Sequence, residues 1–158
     1  MIRTMMAAIL LAGLACSGAL ANETIRHVDA GTLRAVVERL GHENLGEAVL
    51  ENGAPAIEAR QPDGFSYALI GVVCEDGRCL GMMSQVEFDN DIGLTATHAN
   101  EINLRWAAVK AVLFAQSVQF SRYDIADGGT STEALAASVD VLLSVTAGII
   151  AAFQQAED

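Results

Sequence analysis

The sequence predicts an α+β fold in which an antiparallel sheet is flanked by helices. Three observations lead to this class: an amphipathic segment with helical spacing near the amino terminus, several apolar segments separated by turn signals, and a long apolar segment near the carboxyl end. The predicted order of elements is α-β-β-β-β-α-β-β-α. We expect one domain that covers residues 22–158, because no repeat or low-complexity linker divides the chain.

The first predicted helix covers residues 29–40 and ends at Gly41. Its apolar side chains recur with the i, i+3, i+4, i+7 spacing of one helical face: Leu33, Val36, Val37 and Leu40. A short hairpin is predicted next, from residues 48–51 and 54–59. Asn52-Gly53 joins these segments, and this dipeptide tolerates the positive φ angles of a type I′ turn.

Residues 65–74 and 79–88 are predicted to form a second hairpin, since both are rich in β-forming and aliphatic side chains. Cys74 and Cys79 frame a polar loop that contains the turn signal Asp76-Gly77. In an oxidising compartment two thiols this close form a disulfide. We therefore expect a structural bond between Cys74 and Cys79.

A redox-active pair and half of a zinc site are the alternatives for these cysteines. Redox pairs usually have two intervening residues at a helix start. Zinc would need further ligands, which the scattered His27, His42 and His98 do not obviously supply. We predict neither a metal site nor a cofactor.

Clustered carboxylates in residues 87–93 suggest a calcium loop. An EF-hand loop needs glycine at its sixth position and a bidentate glutamate at its twelfth. Counting from Asp89 gives Leu94 and Asn100 at those positions. The pattern favours a solvated acidic turn.

A second helix is predicted to begin at Thr97, and the pattern leaves its end open. The side chains expected to face the core are Ile102, Trp106 and Val109, and those expected to face solvent are Asn100, Asn103 and Arg105. Residues 112–114 and 118–125 have strand composition, with a possible turn at Gln116-Ser117.

The last predicted helix follows Asp127-Gly128-Gly129, and Thr130 with Glu133 has the spacing of a capping box. One apolar stripe runs along it: Leu135, Val139, Leu142, Thr146, Ile149 and Phe153. Residues 134–153 carry one charge, Asp140, so they are also long and apolar enough for a membrane anchor. Asp140 would cost about 2.5 to 3.5 kcal/mol there, and the tail is acidic. The preferred interpretation is a core helix that lies across the sheet.

Residues 1–21 have the features of a cleavable signal peptide. Arg3 is followed by an apolar run and then by small residues that end in Ala19-Leu20-Ala21. We expect cleavage near Ala21 and a periplasmic or secreted product. A lipidated Cys16 is a minor alternative, because Gly13 stands where an aliphatic residue is preferred.

The composition excludes a nucleic-acid ligand. The chain has nine Lys and Arg residues and 20 Asp and Glu residues, which gives a formal net charge of −11. Loss of Arg3 with the signal peptide would change this charge to −12. Nucleic-acid binding depends on cationic side chains at phosphates. Such an acidic surface repels phosphates and anionic lipid alike.

The common catalytic signatures are absent from the sequence: it has no G-x-S-x-G, H-E-x-x-H, P-loop or G-x-G-x-x-G motif. His98 and Glu101 are three residues apart at a predicted helix start, which leaves a small hydrolase using His98 as an alternative. A polar helix start needs no ligand to explain it, so we expect a protein that is not an enzyme.

The residues from about Thr32 to Phe153 resemble secreted members of the YbjN-domain family. The resemblance rests on the cysteine hairpin, on a helix with Ile102, Asn103 and Trp106, and on Gly128-Gly129 before a long helix. It implies an α+β fold similar to type III secretion chaperones and a role as a sensory-transduction regulator without established catalysis. It carries over no catalytic residue.

We therefore expect a non-enzymatic binding or regulatory module that recognises an unidentified protein partner. A membrane-tethered envelope protein, held by residues 134–153 or by Cys16, is the alternative. The patterns name no ligand, pathway or oligomeric state.

Overall fold

Residues 24–62 and 64–155 are described by a computed structural model. Its elements are α1 (Ala30–Leu40), β1 (Glu43–Val49), β2 (Pro55–Arg60), β3 (Ser66–Glu75), β4 (Arg78–Asp89), α2 (Ala96–Arg105), β5 (Lys110–Leu113), β6 (Ser117–Ile125) and α3 (Thr132–Gln154). The strands form one antiparallel sheet in the order β1-β2-β3-β4-β6-β5. The predicted α+β class and element order are confirmed. The predicted signal peptide and Cys16 lie outside the described residues.

Helix α1 is capped at both ends. The Asp29 carboxylate accepts a hydrogen bond from the backbone N–H of Thr32 at 2.8 Å and satisfies a helix-end donor. This bond lowers the pKa of Asp29. Gly41 ends the helix in the left-handed conformation, with φ of 67°.

The two hairpins turn differently. Asp76 and Gly77 both have positive φ, 49° and 74°, as a two-residue type I′ turn requires. Asn52 does not, because the longer connection closes through Leu50, whose N–H donates to the Ala54 carbonyl. The type I′ turn expected at Asn52-Gly53 is therefore wrong, and β1 begins earlier than predicted.

Cys74 and Cys79 face each other across the second hairpin and form a disulfide. Cys79 is fully buried. A Cβ on Gly71 would collide with the Cys79 Sγ, so the bond packs where only glycine fits. The Val28 backbone pairs with Cys79 through two hydrogen bonds of 2.8 Å, and the disulfide therefore also anchors the segment before α1.

Helix α3 begins one residue later than the predicted capping box. The Thr130 backbone exchanges two hydrogen bonds with Ile25, at 2.9 and 2.8 Å. This bridge keeps Thr130 extended, so Ser131 becomes the cap and accepts from the Ala134 N–H at 3.1 Å. Glu133 still lies in the first turn and pairs with Arg39 of α1 at 3.4 Å.

Helix α3 packs on the sheet through the stripe that the sequence predicts. Leu135, Val139, Leu142, Thr146 and Ile149 are buried. Within the described residues α3 is also the helix long and apolar enough to cross a membrane, by length and composition alone, and 44% of its apolar stretch is buried. Its packing beside α1 and against β4 and β6 supports the core-helix interpretation.

The disulfide generates a stability prediction. Replacing Cys74 and Cys79 together by serine should lower the free energy of unfolding by about 2 kcal/mol, because the unfolded chain loses its short covalent loop. Urea unfolding of the oxidised protein and the double variant measures this. Equal stability of the two proteins would contradict a structural role for the bond.

Candidate functional site

One face of the sheet carries the core, and the other has no helix over it among the described residues. Side chains alternate between the faces of a strand. The buried set, which contacts α1 and α3, includes Ile57, Tyr67, Leu69, Val86 and Phe120. Their neighbours along each strand point the opposite way, and most of them are partly or fully exposed. We call this second surface the helix-free face.

The helix-free face contains a groove of about 490 Å³ across β1 to β4. Gly46, Ala48, Ala56 and Ala68 line its floor. Glu58 pairs with Gly46 on one side and Ala68 on the other, while Ala56 pairs with Ala48 and with Ile70. The groove exists because small side chains occupy neighbouring positions on three adjacent strands.

Apolar side chains continue from the groove toward the disulfide end of the sheet. Ile70 pairs with Met83, and Met83 pairs with Tyr123. The Tyr123 ring lies over Gly81, where a Cβ would be 2.6 Å from the ring edge and 2.7 Å from the hydroxyl. Tyr123 is 49% exposed, so this row offers apolar surface to solvent.

The ionised groups of the groove are acidic. Glu58 and Glu87 lie on the helix-free face, and Glu87 accepts a hydrogen bond from Ser117 at 2.7 Å. Glu47 is held by Arg34 of α1 through two hydrogen bonds of 2.9 and 2.8 Å, which lower the pKa of Glu47. Arg60 lies beyond the groove, where it contacts Ser66 and Glu43.

The two edge strands of the sheet, β5 and β1, differ in the hydrogen bonds that their backbones make. The Asn103 side chain accepts from the Ala111 N–H at 2.7 Å and donates to the Ala111 carbonyl at 3.0 Å. Asn103 is exposed, as the sequence predicts, and its amide also occupies the outer edge of β5. At the other edge a bulge interrupts β1 between Asn44 and Gly46, and the Asn44 side-chain oxygen accepts from the Gly46 N–H at 3.0 Å.

A polar cluster lies under the sheet, where α3 crosses β6. Ser138 donates to Asp124 and accepts from the Arg122 Nε, while the Arg122 Nη1 donates to the Ala108 carbonyl at 3.0 Å. Asp124 also pairs with Arg122 at 3.5 Å. Each of these polar groups therefore has a hydrogen-bond or ion-pair partner. The cluster is explained by a structural role, which is to join α3 to β6.

A second polar contact joins the end of α1 to the sheet. The His42 Nδ1 lies 2.9 Å from the Tyr67 hydroxyl. Burial lowers the pKa of His42, and the Asp140 carboxylate offsets part of that effect. Burial, with a smaller contribution from Asp140, raises the pKa of Tyr67. Tyr67 therefore stays protonated, and its O–H can donate to neutral His42.

His98 does not form a catalytic constellation. Its Nδ1 accepts from the Thr95 N–H at 3.3 Å, so the side chain completes the capping box of α2. The ring lies 5.0 Å from the Phe153 ring. No Ser, Cys or acidic side chain in the described part of the chain is hydrogen-bonded to His98.

The acidic segment folds as a local turn. Asn90 exchanges two side-chain hydrogen bonds of 2.8 Å with the Leu94 backbone. Across residues 24–62 and 64–155, no group of three or more His, Cys, Asp and Glu side chains is placed to hold a metal ion.

Trp106 is half-buried at the end of α2, with Arg105 over its ring at 4.9 Å.

Two features escaped the sequence analysis. The groove had a usable signal in the small residues Gly46, Ala48, Ala56 and Ala68, but only the pairing register of β1, β2 and β3 brings them together. The cluster of Arg122, Asp124 and Ser138 had none, because Ser138 lies on α3 whereas Arg122 and Asp124 lie on β6.

The half-buried side chain of His42 predicts a pH dependence of stability. A His pKa that is lower in the folded than in the unfolded protein gives stability that is complete above about pH 6.5, the unfolded value, and is lost as the pH falls below it. The midpoint of urea unfolding should therefore fall between about pH 7.5 and 5.5, and His42→Asn should remove part of that fall. Tyr67→Phe should retain it, because burial is the main cause. An identical fall in His42→Asn would contradict the assignment.

Comparison with known proteins identifies the fold. No family model matches the sequence, and no curated protein matches it. A solved structure does match: "YbjN, a putative transcription regulator from E. coli" has a TM-score of 0.59 and 16% sequence identity, with 80% of this chain and 92% of that chain covered. At this identity the likeness establishes the fold alone. The resemblance found in the sequence is thereby confirmed at that level, and the chain has a YbjN-like fold.

Proposed function

We propose that this chain is an exported, non-enzymatic regulatory module that binds a protein partner on the helix-free face of its sheet. The observation that carries the proposal is the groove of about 490 Å³, which has a floor of small apolar side chains and lies on the face that no described helix covers. A sheet face with apolar side chains gains free energy when another element covers it.

The fold likeness supports a regulatory role. The YbjN structure is that of a protein described as "a putative transcription regulator". Direct contact with nucleic acid is a poor expectation for this chain, because its formal net charge is −11 and phosphate contacts need Lys and Arg. We therefore propose that regulation acts through a protein partner.

Two features support export. Residues 1–21 have the composition of a signal peptide, and the Cys74–Cys79 bond suits an oxidising compartment. The bridge from Ile25 to Thr130 lies after Ala21. Cleavage at the predicted site would therefore leave this anchor of the amino-terminal segment intact.

The absence of enzymatic activity is part of the proposal. Nucleophilic or acid–base catalysis needs a donor and a base that converge on a substrate site. His98 is engaged in helix capping, and the cluster at Arg122 is internally satisfied. The groove itself carries Glu58, Glu87 and Gln85 with no histidine or cysteine among its lining residues.

A membrane-tethered protein is the second candidate, favoured by the length and apolar composition of α3. The packing of α3 beside α1 supports the untethered form. Fractionation of cells distinguishes them: the proposal expects a freely soluble periplasmic form that begins at Asn22, and a protein retained in the membrane fraction would contradict it.

The partner surface can be tested with a matched pair of substitutions. Ala68→Trp fills the groove, whereas Ala137→Trp adds the same bulk on the exposed side of α3. Immobilised wild type and Ala137→Trp should retain the same proteins from periplasmic extract, and Ala68→Trp should lose them. Far-UV circular dichroism and thermal unfolding check that both variants fold.

Retention of the same proteins by Ala68→Trp would contradict docking in the groove. If only Ala137→Trp fails to retain these proteins, the partner surface lies on α3 and not in the groove. If the wild-type protein retains no specific protein from the extract, that result would count against a binding module of any kind.

A further inference from the structure

We infer that the groove on the helix-free face accepts a basic amphipathic segment of another protein, with apolar side chains on the groove floor and Lys or Arg side chains at Glu58 and Glu87. This inference rests on the proposed function and gives the partner its chemistry. It follows from the shape of the floor, the sign of the charges beside it and the distance between them.

The floor selects apolar side chains. Gly46, Ala48, Ala56 and Ala68 offer the partner no side-chain hydrogen-bonding group, and Leu50 and Ile70 add apolar surface beside them. Burial of apolar area against such a floor favours binding. A polar segment would lose its water there without gaining hydrogen bonds in exchange.

The charges beside the floor select cations. Glu58 makes no hydrogen bond or ion pair with any other described residue, and the carboxylate of Glu87 is bonded to the neutral Ser117. The nearest basic side chain on this face, Arg60, is engaged with Ser66 and Glu43. Two carboxylates therefore remain without a cation beside an apolar depression.

The positions of these carboxylates set the spacing of the basic groups. Glu58 pairs with Ala68, Ala68 with Gln85, and Glu87 lies two residues further along β4. Two strand spacings and two residues of rise separate the Cα atoms of Glu58 and Glu87 by about 12 Å. A helix presents side chains of one face about 12 Å apart at i and i+8.

The overall charge argues for a different protein rather than a second copy. The chain has 20 acidic and nine basic residues, so two copies bring carboxylates toward carboxylates. Anionic lipid is disfavoured for the same reason. A segment with net positive charge is attracted to the whole chain as well as to the two glutamates.

The test uses two labelled peptides of about 14 residues, or about four helical turns. Both have leucine on one helical face and alanine elsewhere, and one carries lysine where the other carries glutamate. Fluorescence anisotropy measures their binding to the wild-type protein, to the double variant Glu58→Gln/Glu87→Gln, and to the control Glu38→Gln/Glu101→Gln. The control removes two exposed glutamates from α1 and α2.

The lysine peptide should bind the wild type and the control equally, and it should bind the Glu58→Gln/Glu87→Gln variant about five- to tenfold more weakly. Its binding should weaken as salt is added. The glutamate peptide should not bind. Equal binding of the lysine peptide to all three proteins, or binding of the glutamate peptide, would overturn the inference.

The outcomes separate this inference from the proposed function. If Ala68→Trp loses extract proteins but the lysine peptide does not bind, the groove is still a partner site and only the basic chemistry is wrong. Sedimentation of the chain alone detects a second copy: a dimer that Ala68→Trp disperses would assign the groove to self-association and overturn the inference.

Discussion

The packing of α3 against β4 and β6 is the interaction on which the rest of the structure depends. Leu135, Val139, Leu142 and Ile149 of α3 are buried, and full burial of such a side chain stabilises the fold by about 1.5–3 kcal/mol. The internally satisfied cluster at Arg122 orients the helix, because an unpaired charge at this partly buried position would cost free energy. Helix α1 then packs beside α3 on the same side of the sheet.

Because α1 and α3 share one face, the opposite face of the sheet has no covering helix in the described part of the chain. Small residues on β1, β2 and β3 deepen that face into a groove, and Tyr123 extends its apolar surface over Gly81. The sheet edges reinforce this arrangement, since Asn103 covers the backbone of β5 at Ala111. The packing that forms the core therefore also leaves open the face on which we propose that a partner binds.

Local patterns predicted the elements well. Apolar spacing located α1 and α3, and Asp76-Gly77 located the turn that brings Cys74 to Cys79. The errors lie where a distant contact overrides a local preference. Thr130 bonds to Ile25, which moves the α3 cap to Ser131. The groove and the Arg122 cluster require strand register and helix docking, which single-segment patterns do not contain.

Carbene footprinting of the chain, free and in complex with proteins captured from periplasmic extract, tests the central claim most directly. The free protein should be labelled at Ile70 and Met83 on the helix-free face and at Val141, an exposed apolar residue of α3. In the complex, Ile70 and Met83 should be protected while Val141 stays labelled. Protection of Val141 with unchanged labelling of Ile70 and Met83 would contradict the account.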